Sequence, residues 1–537
     1  YGVVRVFDAE ERRQLLAQRS FAFPGLPERP SETPAATERA PEPAPSRPER
    51  GMLQVELLPQ PELNDEQALI VNHPAGPLLV LAGPGTGKTR VIAQRIARWV
   101  RSGVSPRTIT AITFTRRAAR ELRERLDALL GDSARAIGAL TFHALGLELL
   151  RSFAAEAGLP PEFSVLDETE RARALDAAIA ALGCPPSARW AAAIAAAKSR
   201  LIEPESAEPE IAPVYAAYES ELAARAALDF DDLVRRAVQL LELCPAARAA
   251  AEERCRHLCI DEWQDVSLAQ ERFVQLLAPA GPDAEVCAVG DPDQSIYGFR
   301  GSDPACVERF VNHYAAAVLP LSANYRCPVS VVRAATQLIE RAPGRSPREL
   351  RPQRRDTGPI ERVDLGSERD EAEFIAAEIE RALGGTSLES LGMRRAEGHL
   401  EQPFAFHEIA VLFRVSAQAE AIEQALDRAG IPHQRAGDAF IERPEVAALL
   451  ERLRSWASSS ALELPRRGEA IADRIRALAR EASADFPAHA ARRLLEAADL
   501  LATLALPFGG DASAFLADLP LWQAGELELS PERVALL

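Results

Sequence analysis

The sequence is poor in lysine. Among the 62 basic residues of the 537-residue chain, only Lys88 and Lys198 are lysines, and all the others are arginines. Such usage is typical of a GC-rich genome and has no direct functional meaning. A lysine that is kept against this background is therefore a candidate for a role that arginine cannot fill.

Cysteines are also few, and none of the seven belongs to a CxxC pair. Their scatter argues against a disulfide scaffold and is typical of a reducing compartment, so we expect a cytoplasmic protein. No apolar run approaches the ~18 residues of a membrane span, and no basic and then apolar signal segment opens the chain. These absences predict no membrane association.

An excess of positive charge is lacking too, because the formal net charge is −17. The chain therefore has no global electrostatic footprint of a nucleic-acid-binding protein, and any such binding must come from a local groove. Length alone predicts roughly three or four domains, with ample chain to bury their cores.

The N-terminal part of the chain predicts a tether. A short strand is predicted at residues 3–7, a helix begins at Asp8, and eight prolines follow within residues 24–50. A Pro-rich stretch of this kind is typical of an extended linker. Because the chain begins at Tyr1, we expect it to be a piece of a longer protein, with residues 1–20 as the tail of an upstream domain.

Beyond the linker, apolar strand-like runs alternate with helical patterns, which predicts an α/β fold with a parallel sheet. Residues 143–250 and 445–520 interrupt the alternation and are predicted to be mostly helical. The strands are predicted at 78–82, 109–114, 257–260, 286–289, 318–321, 360–364, 408–413 and 533–537. The helices between them are predicted at 91–100, 118–130, 371–383 and 417–429.

A glycine-rich loop follows the strand predicted at 78–82 and precedes a helical pattern. Glycines let backbone N–H groups curl around phosphate oxygens, and a helix N-terminus adds a positive dipole. Lys88 would reach the β- and γ-phosphates, and the Thr89 hydroxyl would bind Mg²⁺. A turn with a chance lysine is the alternative, but strand, loop and helix stand in the order that a nucleotide site requires. The predicted nucleotide-binding residues are Ala82, Gly83, Pro84, Gly85, Thr86, Gly87, Lys88 and Thr89.

Two carboxylates follow the strand predicted at 257–260. Acidic residues at the carboxyl end of a strand lie in the ligand crevice of an open α/β sheet. Asp261 is therefore predicted to hold Mg²⁺, and Glu262 to activate water for attack on the γ-phosphate. A solvated acidic turn is an equal alternative for this segment alone, and the phosphate loop favours the catalytic interpretation.

The same region carries Cys255, His257 and Cys259, whose spacing would put all three on one face of a strand. A metal site would need a fourth ligand, and none is near in the sequence. A buried core strand is therefore the preferred interpretation.

A polar loop with glycines and aromatic residues follows the strand predicted at 286–289. Gln294 is placed to sense the γ-phosphate. Tyr297 and Phe299 stand where a core residue is unexpected, and exposed aromatic side chains form stacking platforms for bases. Packing of these rings beneath the loop is the alternative.

Together these segments resemble the motifs of superfamily 1 DNA helicases of the UvrD/Rep/PcrA group. The resemblance covers about residues 61–450 in the order and spacing of the family, and the combination is far more specific than any single motif. The segments that carry it are Asn64-Asp65-Glu66-Gln67, Thr113-Phe114-Thr115, Thr141-Phe142-His143, Leu228-Asp229-Phe230-Asp231-Asp232-Leu233, Asp261-Glu262-Trp263-Gln264-Asp265, 290–301 and Asn324-Tyr325-Arg326.

The resemblance implies roles for the matching residues. Gln67 would read the adenine, Arg90 and Tyr325 would sandwich it, and Arg326 would be an arginine finger at the γ-phosphate. The family has Trp at the position of Phe299, which implies weaker stacking there. Residues 116–117 also depart from the family's usual Asn-Lys, which puts one backbone contact in doubt. The implied DNA-binding residues are Phe114, Thr141, His143, Tyr297 and Phe299.

The resemblance also implies two RecA-like P-loop NTPase domains, the second incomplete, with helical insertions. Because the family's motifs V and VI are not present, we expect the chain as it stands to bind ATP weakly and not to unwind DNA. The implied division is a tail at 1–20, a Pro-rich linker at 21–60, a first RecA-like domain at 61–142 and 228–325, a helical insertion at 143–227, a partial second RecA-like domain at 326–450, a short helical insertion at 451–530 and the start of a strand at 531–537.

The function implied for the parent protein is an ATP- and Mg²⁺-dependent helicase or translocase on single-stranded or partly duplex DNA, with 3′-to-5′ polarity, in repair or recombination. A motor subunit of a helicase–nuclease, an RNA-directed enzyme of the same superfamily and a non-enzymatic ATP-binding scaffold are the alternatives. Residues 1–18 faintly resemble the end of a PHP-type phosphoesterase module, so a fused upstream nuclease-like domain is a further hypothesis. For Lys198, in an Ala-rich predicted helix, a solvated position and a DNA-backbone contact are equally open.

Overall fold

The described residues of the computed structural model begin at Leu63. The strand predicted at 3–7, the helix from Asp8 and the linker at 24–50 lie outside them. The structure describes residues 63–187, 189–281, 283–296, 298, 301–303, 305–342, 345, 348–355, 360–384, 404–415, 417–435, 444–459, 471–512, 515–516, 519 and 534–536.

The described residues form short strands and mostly longer helices, numbered here in chain order. The strands are β1 (Leu78–Ala82), β2 (Ile109–Thr113), β3 (Gly138–Thr141), β4 (Ser164–Val165), β5 (Ala227–Leu228), β6 (His257–Ile260), β7 (Glu285–Gly290), β8 (Ala317–Leu321), β9 (Ala323–Asn324), β10 (Arg351–Pro352), β11 (Ala410–Val411), β12 (His433–Arg435) and β13 (Val534–Leu536). The helices are α1 (Asp65–Val71), α2 (Lys88–Arg101), α3 (Arg116–Leu130), α4 (Phe142–Ser152), α5 (Glu168–Leu182), α6 (Arg189–Ser199), α7 (Ala212–Ala224), α8 (Asp232–Leu243), α9 (Pro245–Arg254), α10 (Leu268–Leu277), α11 (Cys306–Tyr314), α12 (Val329–Ile339), α13 (Glu368–Ala382), α14 (Ala417–Arg428), α15 (Pro444–Ser459), α16 (Ile471–Ala482) and α17 (Ala488–Ala505).

Six strands form one parallel sheet in the order β3-β2-β6-β7-β1-β8. In β1, Leu78, Leu79 and Val80 are all buried. A strand that is covered on both faces reads as a continuous apolar run, which is typical of parallel sheets between helices. The predicted α/β class with a parallel sheet is confirmed.

Helices cover both faces of this sheet. Because successive side chains of a strand point to opposite faces, Leu78 packs with α1, α2 and α3 on one face. Leu79 packs with α4, α8 and α10 on the other face. Trp99 and Trp263 fill these two cores. The sheet is therefore covered on both faces, and the loops that connect its strands to the helices lie at the two ends of the strands.

Between β3 and β6 the chain forms a mainly helical region. The prediction that residues 143–250 are mostly helical is confirmed, apart from β4 and β5, which pair in parallel. Helices α5, α6 and α7 enclose a core of their own around Trp190, Tyr215 and Tyr218. This region is attached to the sheet through α4 and α8, which pack on the face that contains Leu79.

A second, smaller parallel sheet has the order β11-β13-β12 and packs against α13 and α14. The strand predicted at 533–537 is confirmed as β13, whose Val534 is buried. The strand predicted at 408–413 is confirmed only over β11.

The strand predicted at 360–364 is wrong. The segment is irregular, Ile360 is 44% exposed, and Arg362 and Asp364 form a surface ion pair of 3.0 Å with each other. A β-branched residue favours a strand only when a neighbouring strand and a core receive it. Among the described residues, no strand pairs with this segment.

Helices α15, α16 and α17 pack on one another through small and branched apolar side chains. The helical prediction for 445–520 is confirmed where that region is described. Across the described parts of the chain, no helix combines the length and the apolar character that a membrane crossing needs.

Candidate functional site

The loops that carry the predicted site residues meet at one edge of the central sheet. Its six strands are parallel, so the loops after β1, β2, β3, β6, β7 and β8 all leave from the carboxyl edge. The carboxyl edge of a parallel sheet is where open α/β folds bind their ligands.

The phosphate loop joins β1 to α2. Gly85 and Gly87 have φ values of 68° and 92°, which glycine adopts without strain. The Thr86 hydroxyl donates to the Gly83 carbonyl at 2.8 Å, and α2 begins at Lys88. The loop is thus a compact turn whose backbone N–H groups precede a helix N-terminus, the arrangement that binds phosphate.

Gln67 lies against this loop and is 2% exposed. Its Nε2 donates to the Thr86 carbonyl at 3.1 Å, and its Oε1 accepts from the Asn64 N–H at 3.3 Å. A Cβ at Gly87 would stand 2.9 Å from Gln67 Nε2. The structure therefore holds Gln67 at the phosphate loop, and its role in reading adenine stays a prediction.

The segment after β8 packs directly on the phosphate loop. Asn324 Nδ2 donates to the Pro84 carbonyl at 2.6 Å, and the Tyr325 N–H donates to the Gly85 carbonyl at 2.9 Å. A Cβ at Gly85 would lie 2.5 Å from Arg326 Cβ. Glycine at position 85 is therefore required by this close approach. The structure brings Tyr325 and Arg326 to the phosphate loop, as their predicted roles require.

Lys88 and Glu262, 174 residues apart in the chain, form an ion pair of 2.8 Å between Nζ and Oε2. Glu262 has a φ of 52°, an uncommon backbone conformation for a residue with a side chain. Such conformations cluster at functional sites, where the surrounding structure enforces them. The pair places the predicted phosphate-binding cation beside the predicted water-activating carboxylate.

Asp261 is the buried neighbour of this pair. Burial and the charge of Glu262 raise the pKa of Asp261 to about 7. Its carboxylate and the Thr89 hydroxyl are hard oxygen ligands, the type that Mg²⁺ prefers. A nearby cation would stabilise the ionised form of Asp261, so the residues fit the predicted metal. Within the described residues, no group of three or more His, Cys, Asp or Glu side chains forms a ready cation cage.

Cys255 and Cys259 are both 0% exposed, and the His257 ring packs edge-on against Trp99 at 5.3 Å between centroids. The core-strand interpretation therefore holds for His257 and Cys259, whereas Cys255 precedes β6 and packs with Leu79 on the opposite face of the sheet from Cys259.

Gln264 is a site residue that sequence reasoning did not single out. It is 1% exposed, and its Nε2 donates to Glu262 Oε2 at 3.0 Å. Its Oε1 accepts from the Asp291 N–H at 2.8 Å, and its carbonyl accepts from the Ser295 hydroxyl at 3.2 Å. Gln264 thus links Glu262 to the loop after β7. The sequence feature that could have indicated this role is the position of Gln264 in the Asp-Glu-Trp-Gln-Asp segment, two residues after Glu262.

Gln294 lies in the loop after β7. Its Nε2 donates to Asp291 Oδ2 at 2.6 Å, and Asp291 Oδ1 pairs with Arg348 at 3.0 Å. The structure therefore anchors Gln294 through Asp291 on the carboxyl edge. Tyr297 and Phe299, further along the same loop, lie outside the described residues.

The other predicted DNA contacts follow β2 and β3, which are neighbours in the sheet. Phe114 is half-buried directly after β2. Thr141 is buried, and its hydroxyl accepts from the Ala144 N–H at 3.2 Å, so a helix-capping role accounts for it. The His143 ring stacks on Phe230 with 3.7 Å between centroids, and burial lowers the pKa of His143 to about 3. His143 is therefore neutral at physiological pH.

Lys198 lies in the helical region and is fully buried. Its Nζ is 2.7 Å from Asp229, 2.8 Å from Asp232 and 2.8 Å from Glu219. Arg235 also pairs with Asp232, at 2.8 Å, and with Glu219. We call these five residues the Lys198 cluster. Both expectations for Lys198, a solvated position and a contact with DNA backbone, are wrong because its side chain is 0% exposed and saturated by carboxylates.

A parallel α/β sheet with a Gly-Lys-Thr loop after β1 and a carboxylate pair after β6 defines the P-loop nucleotide-binding class. Comparison with known proteins gives the family within that class. Residues 63–315 match the UvrD/REP helicase N-terminal domain. Residues 319–499 match the UvrD-like helicase C-terminal domain. The chain belongs to the UvrD/Rep helicase family.

Curated relatives include the ATP-dependent DNA helicase PcrA of Staphylococcus epidermidis and of Staphylococcus aureus. Each is 32% identical to this chain over 428 residues, which are 76% of this chain and 56% of the relative. The chain spans about half the length of the curated relatives it matches.

Proposed function

We propose that the whole protein is an ATP-driven motor that moves along single-stranded DNA, separates duplex ahead of it in the 3′-to-5′ direction, and serves repair or recombination in the cytoplasm. The observation that carries the proposal is the continuous chain of contacts from Lys88 through Glu262 and Gln264 to the loop after β7. The family and the helicase names of its relatives support it.

In this proposal ATP binds on the phosphate loop. Lys88 exchanges its contact with Glu262 for the β- and γ-phosphates, and Arg326 stabilises charge on the transferring phosphoryl group. Glu262, released from Lys88, accepts a proton from the attacking water. Thr89 and Asp261 would hold Mg²⁺, which neutralises phosphate charge when bound.

The arrangement of loops gives hydrolysis a route to DNA. The nucleotide residues follow β1, β6 and β8, whereas Phe114 and His143 follow β2 and β3 on the other side of β6. Gln264 contacts both Glu262, after β6, and Asp291, after β7, and the loop after β7 also carries the predicted DNA contacts Tyr297 and Phe299. A change at the γ-phosphate can therefore reach the loop after β7 through one side chain.

The proposal is tested by ATP hydrolysis in the presence of single-stranded DNA, of RNA of matched length, and of neither. We expect DNA to stimulate turnover more than RNA does, and Glu262→Gln to abolish turnover while the protein still binds a fluorescent ATP analogue. Duplexes with a 3′ or a 5′ single-stranded tail test the polarity of the whole protein. Stimulation by RNA alone, or preferential unwinding of the 5′-tailed duplex, would contradict the proposal.

A further inference from the structure

The Lys198 cluster joins the helical region to the segment that leads back into the sheet. Lys198 is the penultimate residue of α6, whereas Asp229 and Asp232 stand at the junction of β5 and α8. Burial lowers the pKa of Lys198, but the charges of Asp232, Asp229 and Glu219 raise it well above its ordinary value. The bonds from Lys198 Nζ to Asp229 and Asp232 fix α6 to the start of α8.

Two residues that adjoin this cluster, Ser199 and Phe230, contact loops at the carboxyl edge of the sheet. Ser199, directly after Lys198, packs against Gly301, where a Cβ would stand 3.1 Å from Ser199 Cβ. Gly301 has a φ of 87°, and its N–H donates to the Gly298 carbonyl at 3.1 Å. Ser199 thus contacts the turn that ends the loop after β7.

The second contact runs through Phe230. This residue follows Asp229, whose Oδ2 accepts from Lys198 Nζ at 2.7 Å and from the Tyr218 hydroxyl at 3.0 Å. Asp229 Oδ1 accepts from the Asp232 N–H at 2.9 Å, which closes the backbone around Phe230. Phe230 stacks on His143, so the cluster fixes the ring beneath a predicted DNA contact.

We propose that the Lys198 cluster is a positioning element for single-stranded DNA, which sets the turn at Gly301 and the stack of Phe230 on His143 at the same time. The inference rests on the proposed function, because it concerns the DNA side of that site. Lys198 does not contact DNA; it acts through Ser199 and Phe230.

The physical reason is that one ammonium bonds carboxylates of α7, of the β5–α8 junction and of α8 at once, which holds the end of α6 against that junction. Lys198 and Arg235 face Glu219, Asp229 and Asp232, and removing the ammonium leaves buried carboxylates with one cation. Buried like charges repel and draw in water or protons. The β5–α8 junction and the end of α6 would then move apart, and both contacts would shift.

The test separates positioning from stability. Lys198→Met combined with Asp229→Asn removes one positive and one negative charge, so the formal charge of the cluster is unchanged while the bonds from Lys198 Nζ to the β5–α8 junction are lost. Ser199→Val leaves every charge in place and enlarges the side chain that faces the turn. Arg189→Met is the matched control, because Arg189 begins the same helix and its ion pair with Glu210 is exposed.

Binding of a fluorescently labelled oligothymidylate is measured by anisotropy, alongside thermal unfolding and binding of a fluorescent ATP analogue. We expect the double variant and Ser199→Val to raise the half-saturating DNA concentration roughly tenfold, the scale at which residues outside a ligand contact act. Their unfolding midpoints and ATP-analogue binding should stay close to those of the wild type, and Arg189→Met should resemble the wild type throughout.

If the double variant regains both stability and wild-type DNA binding, the role of the cluster is structural only and the inference is overturned. If Ser199→Val binds DNA with wild-type affinity, the cluster does not act through the contact between Ser199 and Gly301. If the wild-type protein itself shows no saturable binding of the oligonucleotide, the proposed function falls first, and this inference falls with it.

Discussion

The two lysines of the chain occupy opposite electrostatic settings. Lys88 stands at the carboxyl edge of the sheet, its side chain is 12% exposed, and its described ion pair is with Glu262. Lys198 is 0% exposed and has three carboxylates within 2.8 Å. Both are compact ammonium groups in a chain that otherwise uses arginine.

The difference shows how the number of partners decides what a cation can do. A single, partly exposed pair costs less to open than a buried one, because water can solvate the separated charges. Lys88 can therefore leave Glu262 for a phosphate. A buried and saturated cation has no such freedom, because its release would leave uncompensated charges in the core. Lys198 is suited to holding a junction in place.

The largest expected effect of a substitution is the loss of ATP hydrolysis at Lys88. Lys88→Ala should abolish ATP hydrolysis, a loss of about a hundredfold or more, because no other group delivers a compact positive charge between the phosphates. Lys88→Arg should be nearly as defective, since the planar guanidinium does not replace that charge. Phosphate release is the measurement, with Arg248→Ala as control, whose exposed pair with Glu252 lies far along the chain. Substantial turnover by Lys88→Ala would remove the nucleotide assignment.

The matching change at the second lysine should act on stability. Lys198→Met should lower the free energy of unfolding by about 3–5 kcal/mol, the cost of breaking a buried pair. Lys88→Met should lower it less, because one partly exposed ion pair is lost instead of three buried ones. Urea unfolding curves of both variants give the comparison. Equal destabilisation by the two substitutions would mean that burial does not separate the two sites.

Sequence reasoning found the features that are written in consecutive residues. The strands β1 and β6 are short apolar runs ended by a glycine and an aspartate, and their predicted bounds match the structure. The class of nucleotide site followed from the loop after β1. Contacts across the chain were out of reach, because nothing in the segment around Lys88 indicates that its partner stands 174 residues later.

Lys198 was predicted to be solvated or to contact the DNA backbone, and its surroundings show why both predictions failed. Helix α6 is rich in alanine, so its sequence does not indicate which face is buried. The carboxylates that neutralise Lys198 come from α7, β5–α8 and α8, and only their assembly in space shows that the charge is satisfied. The strand predicted at 360–364 failed for the related reason that a strand needs a partner strand, which local propensity does not supply.

Gln264 offers a test of the site around Lys88, because it donates a hydrogen bond to Glu262, the ion-pair partner of Lys88. Gln264→Glu keeps the size of the side chain, but an ionised carboxylate cannot donate to Glu262 and adds negative charge beside it. We expect turnover with DNA to fall roughly tenfold, or about 1.4 kcal/mol in the barrier, and to recover partly at lower pH, where the new carboxyl is protonated. The pH profile of hydrolysis is the measurement.

Gln270→Glu is the matched control for that substitution. Gln270 is also buried, but its Oε1 accepts from the Ser267 N–H at 3.0 Å, a bond that a carboxylate makes equally well. Its turnover should resemble the wild type. If both variants lose turnover alike, the loss reflects a buried negative charge in general, and the link from Glu262 to the loop after β7 is not supported.

The smallest expected effect is a pH dependence of stability that comes from Asp231, beside the Lys198 cluster. Burial and the charge of Asp229 raise the pKa of Asp231 to about 7, with Asp232 adding to the shift and Lys198 and Arg171 opposing it. Folding therefore favours the protonated form of Asp231. This contribution to stability is complete below about pH 4, the ordinary range of the carboxyl, and is lost as the pH rises through about 7.

Asp231→Asn removes this titration and leaves the Lys198 cluster intact. Between pH 5 and 8 the wild type should lose about 1–3 kcal/mol more stability than the variant does, because its folded state must release a proton that the unfolded state has already lost. Urea unfolding across that range measures the difference, and Asp132→Asn, whose pair with Arg135 is exposed, should follow the wild type. Parallel curves for the wild type and Asp231→Asn would show that Asp231 is ionised throughout, and that the cluster's cations neutralise a fourth carboxylate.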